Sequence, residues 1–149
     1  MTKDEMVEVF DRHEAAENAH DAEAAAATYV EDGYYVNVPL GARFEGRQGV
    51  MLQYAATWVA FPDFAAEREL LVAGEDFLYE EGSFTGTLDG PFMMIEPTGK
   101  RATMKFASYI PFRDGLMLGE HIWYDGALLA QQLGISLEQI AELRSALGA

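Results

Sequence analysis

The sequence predicts an α+β layered domain in which helices come first, an antiparallel meander follows and a short helical segment closes the chain. Three observations carry that reading. Apolar residues recur at helical spacing over most of the first 60 positions. Between 64 and 125 the texture changes to four strand-like runs separated by turn residues. The last two runs flank Asp114-Gly115, an Asp-Gly pair of the kind that closes a hairpin. A sheet curled over two or three helices would leave a pocket between the layers.

Thr2 with Glu5 three residues later is a capping-box pattern, and Met6, Val9, Phe10, His13, Ala16 and His20 then follow on one helical face. Asp21 is a good N-cap for a second helix through AEAAAATYV, which Glu31-Asp32-Gly33 would end. The run 34–39 reads as a short strand stopped by Pro39. A loop with Gly41 and Gly46 leads to a third helix over 47–60, where Val50, Tyr54, Thr57 and Trp58 lie on related turns. Phe61-Pro62-Asp63 ends it, because the residue before a proline is pushed out of the helical region. Strands are predicted near 64–73, 77–87, 101–112 and 116–125. Leu128 to Leu133 reads as a helical turn ended by Gly134, and Ser136 with Gln139 opens a final helix. No repeat, linker or low-complexity tract interrupts residues 1–149, so a single domain is expected.

Composition narrows the function classes. The chain has 25 acids, 10 bases and a net charge of −15, so phosphate-rich surfaces, nucleic acid and anionic membranes alike, are poor partners. Residues 1–32 alone hold ten acids and two bases, a solvated helical face or a docking surface for something basic. There are no cysteines, which excludes disulfides, thiolate metal sites and cysteine nucleophiles. No run approaches a membrane span and no secretory signal is visible, so a cytoplasmic location is expected. A phosphate-binding glycine loop, a G-x-S-x-G elbow and an H-E-x-x-H pair are all missing.

An ordered set of landmarks carries a family resemblance. Phe44-Glu45-Gly46-Arg47 is followed by Phe61-Pro62-Asp63, then by Gly86-Thr87 with Gly90-Pro91-Phe92. Pro97-Thr98-Gly99-Lys100, Phe112-Arg113-Asp114-Gly115 and Glu120-His121-Ile122-Trp123-Tyr124-Asp125 continue the series. From Asn18 to Gly134 the chain resembles the SnoaL-like polyketide cyclases of the nuclear-transport-factor-2-like superfamily. The resemblance implies a cone-shaped fold, with a curved antiparallel sheet wrapped around N-terminal helices and a deep apolar cavity. It also implies intramolecular aldol ring closure without metal or cofactor, with an aspartate near the end of the last long strand as general acid/base. By position that residue looks like Asp125.

Strand alternation then extends the candidate site. Met117, Gly119, His121, Trp123 and Asp125 share one face of the last strand, opposite Leu118, Glu120, Ile122 and Tyr124. If Asp125 faces the cavity, His121 and Trp123 face it too, and burial would raise the carboxyl pKa toward that of a general acid. From the residues alone Asp125 reads first as the N-cap of the turn at Leu128–Leu133, and the resemblance is what turns it to catalysis; His121 reads equally as a hydrogen-bonded wall residue. His13 and the Tyr35/Asn37 face of the 34–39 strand are candidates for positioning a substrate, and Trp58, Phe61 and Trp123 for an apolar wall. His13, Glu17 and His20 are metal-capable, but one helix offers too little convergence, and no metal or other cofactor is expected.

The expected function is proton transfer on a hydrophobic, polyketide-like carbonyl compound. The alternatives are a non-catalytic binder using the same cavity, or an isomerase, dehydratase or hydrolase on this fold. The expected partner is an apolar small molecule. A homodimer through the Leu118, Ile122 and Tyr124 face is expected as well.

Overall fold

In the computed structural model, which describes residues 1–148, helix α1 (Lys3–Asn18) opens on the capping box. The Thr2 hydroxyl accepts the Glu5 amide, and the Glu5 carboxylate accepts the Thr2 amide. The helix buries Met6, Val9, Phe10, His13 and Ala16, its apolar stripe. Asp21 accepts the Ala24 amide at 2.9 Å and starts α2 (Ala22–Ala27).

Helix α2 is shorter than expected, because β1 (Tyr29–Asn37) begins where the sequence suggested more helix. Thr28, Tyr29 and Val30 are residue types that favour strand. The Thr28 hydroxyl turns back onto the Ala25 carbonyl at 2.7 Å, and Arg47 Nε donates to the Tyr29 carbonyl at 3.1 Å. A short edge strand, β2 (Ala42–Glu45), pairs with β1 in a segment expected to be loop. Helix α3 (Gly46–Ala60) follows, then β3 (Ala65–Ala73), β4 (Phe77–Thr87), β5 (Arg101–Arg113) and β6 (Leu116–Tyr124). The turn between β5 and β6 places Asp114 at φ 52° and Gly115 at φ 81°, the left-handed pair a tight hairpin requires. Helices α4 (Gly126–Leu133) and α5 (Leu137–Ala146) end the chain, with Gly134 at φ 72° terminating α4.

The fold is α+β, and its sheet is mixed rather than wholly antiparallel. The strand order is β2-β1-β6-β5-β4-β3, and β1 runs parallel to β6 while every other pair is antiparallel. The expectation failed because local turn signals report hairpins, whereas β1 reaches β6 only after a long crossover. Strands β2 and β3 are free edges, so the sheet stays open.

Three irregularities bend it. Register shifts occur in the β1–β6 pairing between Tyr29 and Tyr34, in β3 between Arg68 and Leu70, and in the β5–β6 pairing between Tyr109 and Phe112. In the last of these, β6 carries one extra residue between Met117 and His121, so side-chain parity flips there. Below the bulge Met117 points into the core; above it the inward residues are Glu120, Ile122 and Tyr124.

One apolar cluster joins Met6, Val9 and Phe10 of α1 and Val50 and Trp58 of α3 to Leu78, Ile110 and Met117 of the sheet. A second gathers Leu88, Ile95 and Ala102 under Ala130 and Leu133 of α4 and Leu143 of α5. Each fully buried large side chain is worth about 1.5–3 kcal/mol. No helix among the described residues is long and apolar enough to cross a membrane.

Candidate active site

A pocket of about 320 Å³ draws its walls from both clusters. Tyr35 of β1, Tyr54 and Trp58 of α3, Phe84 of β4, Phe106 of β5 and Ile122 of β6 supply much of its apolar surface. The ionisable groups on the wall are Glu14, Glu17, Glu80 and Glu120 together with the tyrosines, and no lysine or arginine lies among the described lining residues.

Glu120 is the centre of the polar end. Its residue is only 6% exposed, and a buried carboxylate is tolerated only where hydrogen bonds replace its water. Three hydroxyls do so. Tyr54 and Tyr29 donate to Oε2 at 3.0 and 3.1 Å, and Ser108 donates to Oε1 at 3.0 Å. His13 lies behind Tyr54, fully buried, with Nε2 at 3.0 Å from the tyrosine oxygen and 3.9 Å from Glu120 Oε2. Thr28 gives its single hydroxyl hydrogen to the Ala25 carbonyl at 2.7 Å, so His13 Nδ1 must be the donor in its 2.9 Å contact with Thr28. The imidazole is thereby oriented with Nε2 toward Tyr54.

The Tyr54 hydroxyl touches both His13 Nε2 and Glu120 Oε2 and carries one hydrogen. Two arrangements satisfy every atom. In one, His13 is an imidazolium and Glu120 a carboxylate; in the other, both are neutral and Tyr54 donates to Nε2. Moving one proton through Tyr54 interconverts them. Burial works to lower the His13 pKa, but the carboxylates of Glu17 and Glu120 outweigh it and the pKa is raised. Burial and the Glu17 charge raise the Glu120 pKa, against the opposing pull of His13, Ser108 and Tyr54. Burial, followed by the Glu120 charge, pushes Tyr29 and Tyr54 well above the ordinary phenol value, so both stay protonated donors.

Glu80, on the neighbouring wall, is 4% exposed, and its pKa is pushed up to about 8 by burial and then by Glu120 and Glu17. On α3, Gln53 Oε1 and Trp58 Nε1 are buried without a hydrogen-bond partner, and both residues line the pocket.

Ligand-capable atoms of His13, Glu17 and Glu120 lie within 4.8 Å of one another. Among the described residues this set could hold a cation; of the three metal-capable helix residues, from which no site was expected, His20 lies apart, contacting the Phe64 carbonyl at 2.8 Å and stacking on Trp58. Within this cluster Glu120 Oε2 accepts hydrogen bonds from Tyr54 and Tyr29.

The family model for SnoaL-like polyketide cyclases matches residues 7–133 of the chain. The chain belongs to the SnoaL-like polyketide cyclase family. A protein assigned as a SnoaL-like polyketide cyclase from Jannaschia sp. CCS1 superposes with TM-score 0.79 at 16% identity, covering 87% of this chain and 92% of its own. IdmH of Streptomyces antibioticus, assigned as a polyketide cyclase, gives 0.71 at 22% identity, over 87% and 98% of the two chains. A Catenulispora acidiphila protein with a ketosteroid isomerase-like fold gives 0.78 at 17% identity, over 89% and 97%. At these identities the likeness is one of fold. No curated protein sequence matches the chain.

Within this SnoaL-like fold the sequence-predicted site residues separate into two groups. Tyr35, Asn37, Trp58 and Phe61 line the pocket. Asp125, His121 and Trp123 do not, and this corrects the face expected for β6. Asp125 is exposed and accepts the Leu128 amide at 2.9 Å as the N-cap of α4, the alternative that the residues alone allowed. His121 lies on the outer sheet face, 3.2 Å from the Tyr34 hydroxyl and stacked on Trp123; burial and the Arg43 charge lower its pKa. His13 is corrected as well, since it is not a wall residue but sits behind Tyr54. Ile122 and Tyr124, expected on the outer face, line the pocket.

Alternation holds from Tyr124 back to Glu120; Glu120 was missed because its anchor, Asp125, is the outward N-cap of α4 and not a cavity residue. Tyr29, Ser108 and Glu80 carried no motif at all.

Proposed function

We propose that this SnoaL-like protein is a cofactor-independent acid/base enzyme for a flat, hydrophobic carbonyl compound of polyketide type, closing a ring by intramolecular aldol condensation. Glu120 carries the proton. The observation that supports this reading is the hydrogen-bonded line His13–Tyr54–Glu120, whose last member is on the wall of an otherwise mostly aromatic and aliphatic pocket.

A carboxylate whose pKa is raised is a stronger base than one in water. Glu120 takes a C–H proton already acidified by flanking carbonyls, and the enolate attacks the second carbonyl carbon. The negative charge passes to that carbonyl oxygen, which is then protonated. Through Tyr54 the His13 imidazolium keeps Glu120 ionised until the C–H proton arrives, and the base is reset when that proton passes on to replace the one delivered to the product oxygen. The aromatic wall folds the substrate into its reactive pose, an effect of orientation rather than bond chemistry. Asn37, whose amide oxygen is held by the Tyr124 hydroxyl at 3.0 Å, acts with Tyr35 as a positioning residue.

The test is turnover on a carbonyl substrate that the wild type converts. Glu120→Gln is expected to lose on the order of 10²–10⁴ in kcat while retaining ligand affinity. Full turnover in a folded Glu120→Gln protein would overturn the assignment. A wild type that binds such compounds tightly and converts none is a ligand-binding protein instead.

A further inference from the structure

We propose that Glu80 is the second acid of this pocket: a neutral carboxyl group whose O–H donates to the ligand's carbonyl oxygen, opposite Glu120. The proposal rests on the acid/base reading above and supplies the donor that reading lacks.

The geometry comes from the sheet. Glu80 on β4 is directly opposite Ser108 on β5, and the Ser108 hydroxyl holds Glu120 Oε1 from the other side. The two carboxyls therefore flank one strand on the same inner face, with the pocket in front of both. Their environments differ. Glu120 has three hydroxyl donors, whereas Glu80, equally buried, has no hydrogen-bond partner among the described residues. A carboxylate in that position keeps only the access the pocket gives it and has no donor beside it, so burial favours the protonated form.

The surrounding charges favour the same form. From α1, Glu14 and Glu17 reach the pocket wall, with His13 behind them; from β6 comes Glu120. On its other side Glu80 is paired with Leu71 of β3, which supplies no charge. Arg68 of β3 pulls the other way, but its guanidinium is engaged by Asp11 and Glu14.

Two titratable groups with unlike environments divide acid and base work. Glu120 removes the C–H proton. As the new C–C bond forms, the carbonyl π electrons move to oxygen and the Glu80 proton follows them. The cycle leaves Glu120 protonated and Glu80 ionised, and transfer of one proton from the first to the second restores the start with no other reactant.

The test uses 6-propionyl-2-dimethylaminonaphthalene, a flat ketone whose emission moves to the red when its carbonyl accepts a hydrogen bond. Bound to wild type at pH 6.5 it should emit to the red, and the emission should move to the blue as pH rises through about 8. Glu80→Gln keeps a donor at every pH and should stay red without a transition; Glu80→Leu should stay blue. In parallel, the infrared C=O stretch of a protonated carboxyl should disappear over the same pH range in wild type and be missing from Glu80→Gln. That second measurement needs neither the ketone nor the Leu variant to fold. Glu120→Gln should still redden the ketone while losing turnover, which separates failure of this proposal from failure of the base assignment. An identical infrared titration in wild type and Glu80→Gln would overturn the proposal. So would a ketone that wild type does not bind, or one whose emission is the same in wild type and Glu80→Leu.

Discussion

Replacing Glu80 by Gln should make the protein more stable, and the gain should grow with pH. Folding moves this carboxyl from the ordinary glutamate value of 4.5 to about 8. Between those values the folded chain holds a proton that the unfolded chain has released, so stability falls as pH rises through the interval. At about 1.4 kcal/mol per pH decade the full loss is about 3–5 kcal/mol, complete only above the folded value. Against a typical domain stability of about 5–15 kcal/mol that is a large fraction. Gln has the same shape without the charge, and it removes this contribution to the slope. The assay is urea unfolding of wild type and Glu80→Gln at pH 5.5, 7 and 8.5. The stability difference between the two should widen by several kcal/mol toward high pH, with unchanged m-values. Parallel pH slopes would refute the reasoning, because they would mean Glu80 titrates alike in both states.

Asp125→Ala should cost about 0.5–2 kcal/mol in urea unfolding through loss of the α4 cap, while turnover per folded molecule stays at the wild-type level. A loss of turnover without a loss of stability would return Asp125 to the chemistry. The dimer face expected from Leu118, Ile122 and Tyr124 does not stand, because Ile122 and Tyr124 line the pocket; the outer sheet face instead carries a row formed by Val72, Tyr79, Tyr109, His121 and Val36 across five strands, with Leu70 and Trp123 exposed beside it. Sedimentation equilibrium at micromolar concentration is expected to return twice the 16.5 kDa chain mass, and Trp123→Glu to return the single mass. A wild-type mass of 16.5 kDa contradicts the dimer. Treatment with a chelator should leave turnover unchanged; a loss restored by added zinc or iron would show that His13, Glu17 and Glu120 hold a metal.

Local chemistry in the sequence predicted what local chemistry controls. Both capping boxes, the Asp21 cap and the Asp114-Gly115 turn all formed as their residues suggested. So did the four strands of the second half, since turn residues and β-rich runs act over a few positions. The parallel partner of β1 and the short edge strand β2 were not legible, because each depends on pairing between distant segments.

The site divided along the same line. Tyr35, Asn37, Trp58 and Phe61 were found because their faces follow from spacing within one regular element. Glu120 was missed because the face was chosen by placing Asp125 in the cavity, whereas Asp125 caps α4 and the opposite face, with Glu120, Ile122 and Tyr124, looks inward. Each of the three register shifts lies at or opposite a glycine: Gly33 in β1, Gly119 in β6, and Gly82 facing Arg68 of β3. For the site, the reading of Asp125 as an N-cap is the one that turns Glu120, Ile122 and Tyr124 toward the pocket. The hydroxyls around it, Tyr29 and Ser108, come from sites 91 and 12 residues away, a convergence that no spacing encodes.

The proposed transfer of a proton between carbon and Glu120 can be read by deuterium uptake. Ethyl 2-naphthoylacetate is a flat aryl ketone with one acidified CH₂, and in D₂O that position exchanges as fast as a base removes its proton. Proton NMR at pD near 6.5 follows the loss of the CH₂ signal with and without protein. Wild type should exchange the ketoester well above the buffer rate, and Glu120→Gln should lose on the order of 10²–10⁴ of that acceleration while binding the ester as before. Exchange at the wild-type rate in a folded Glu120→Gln protein would contradict the account.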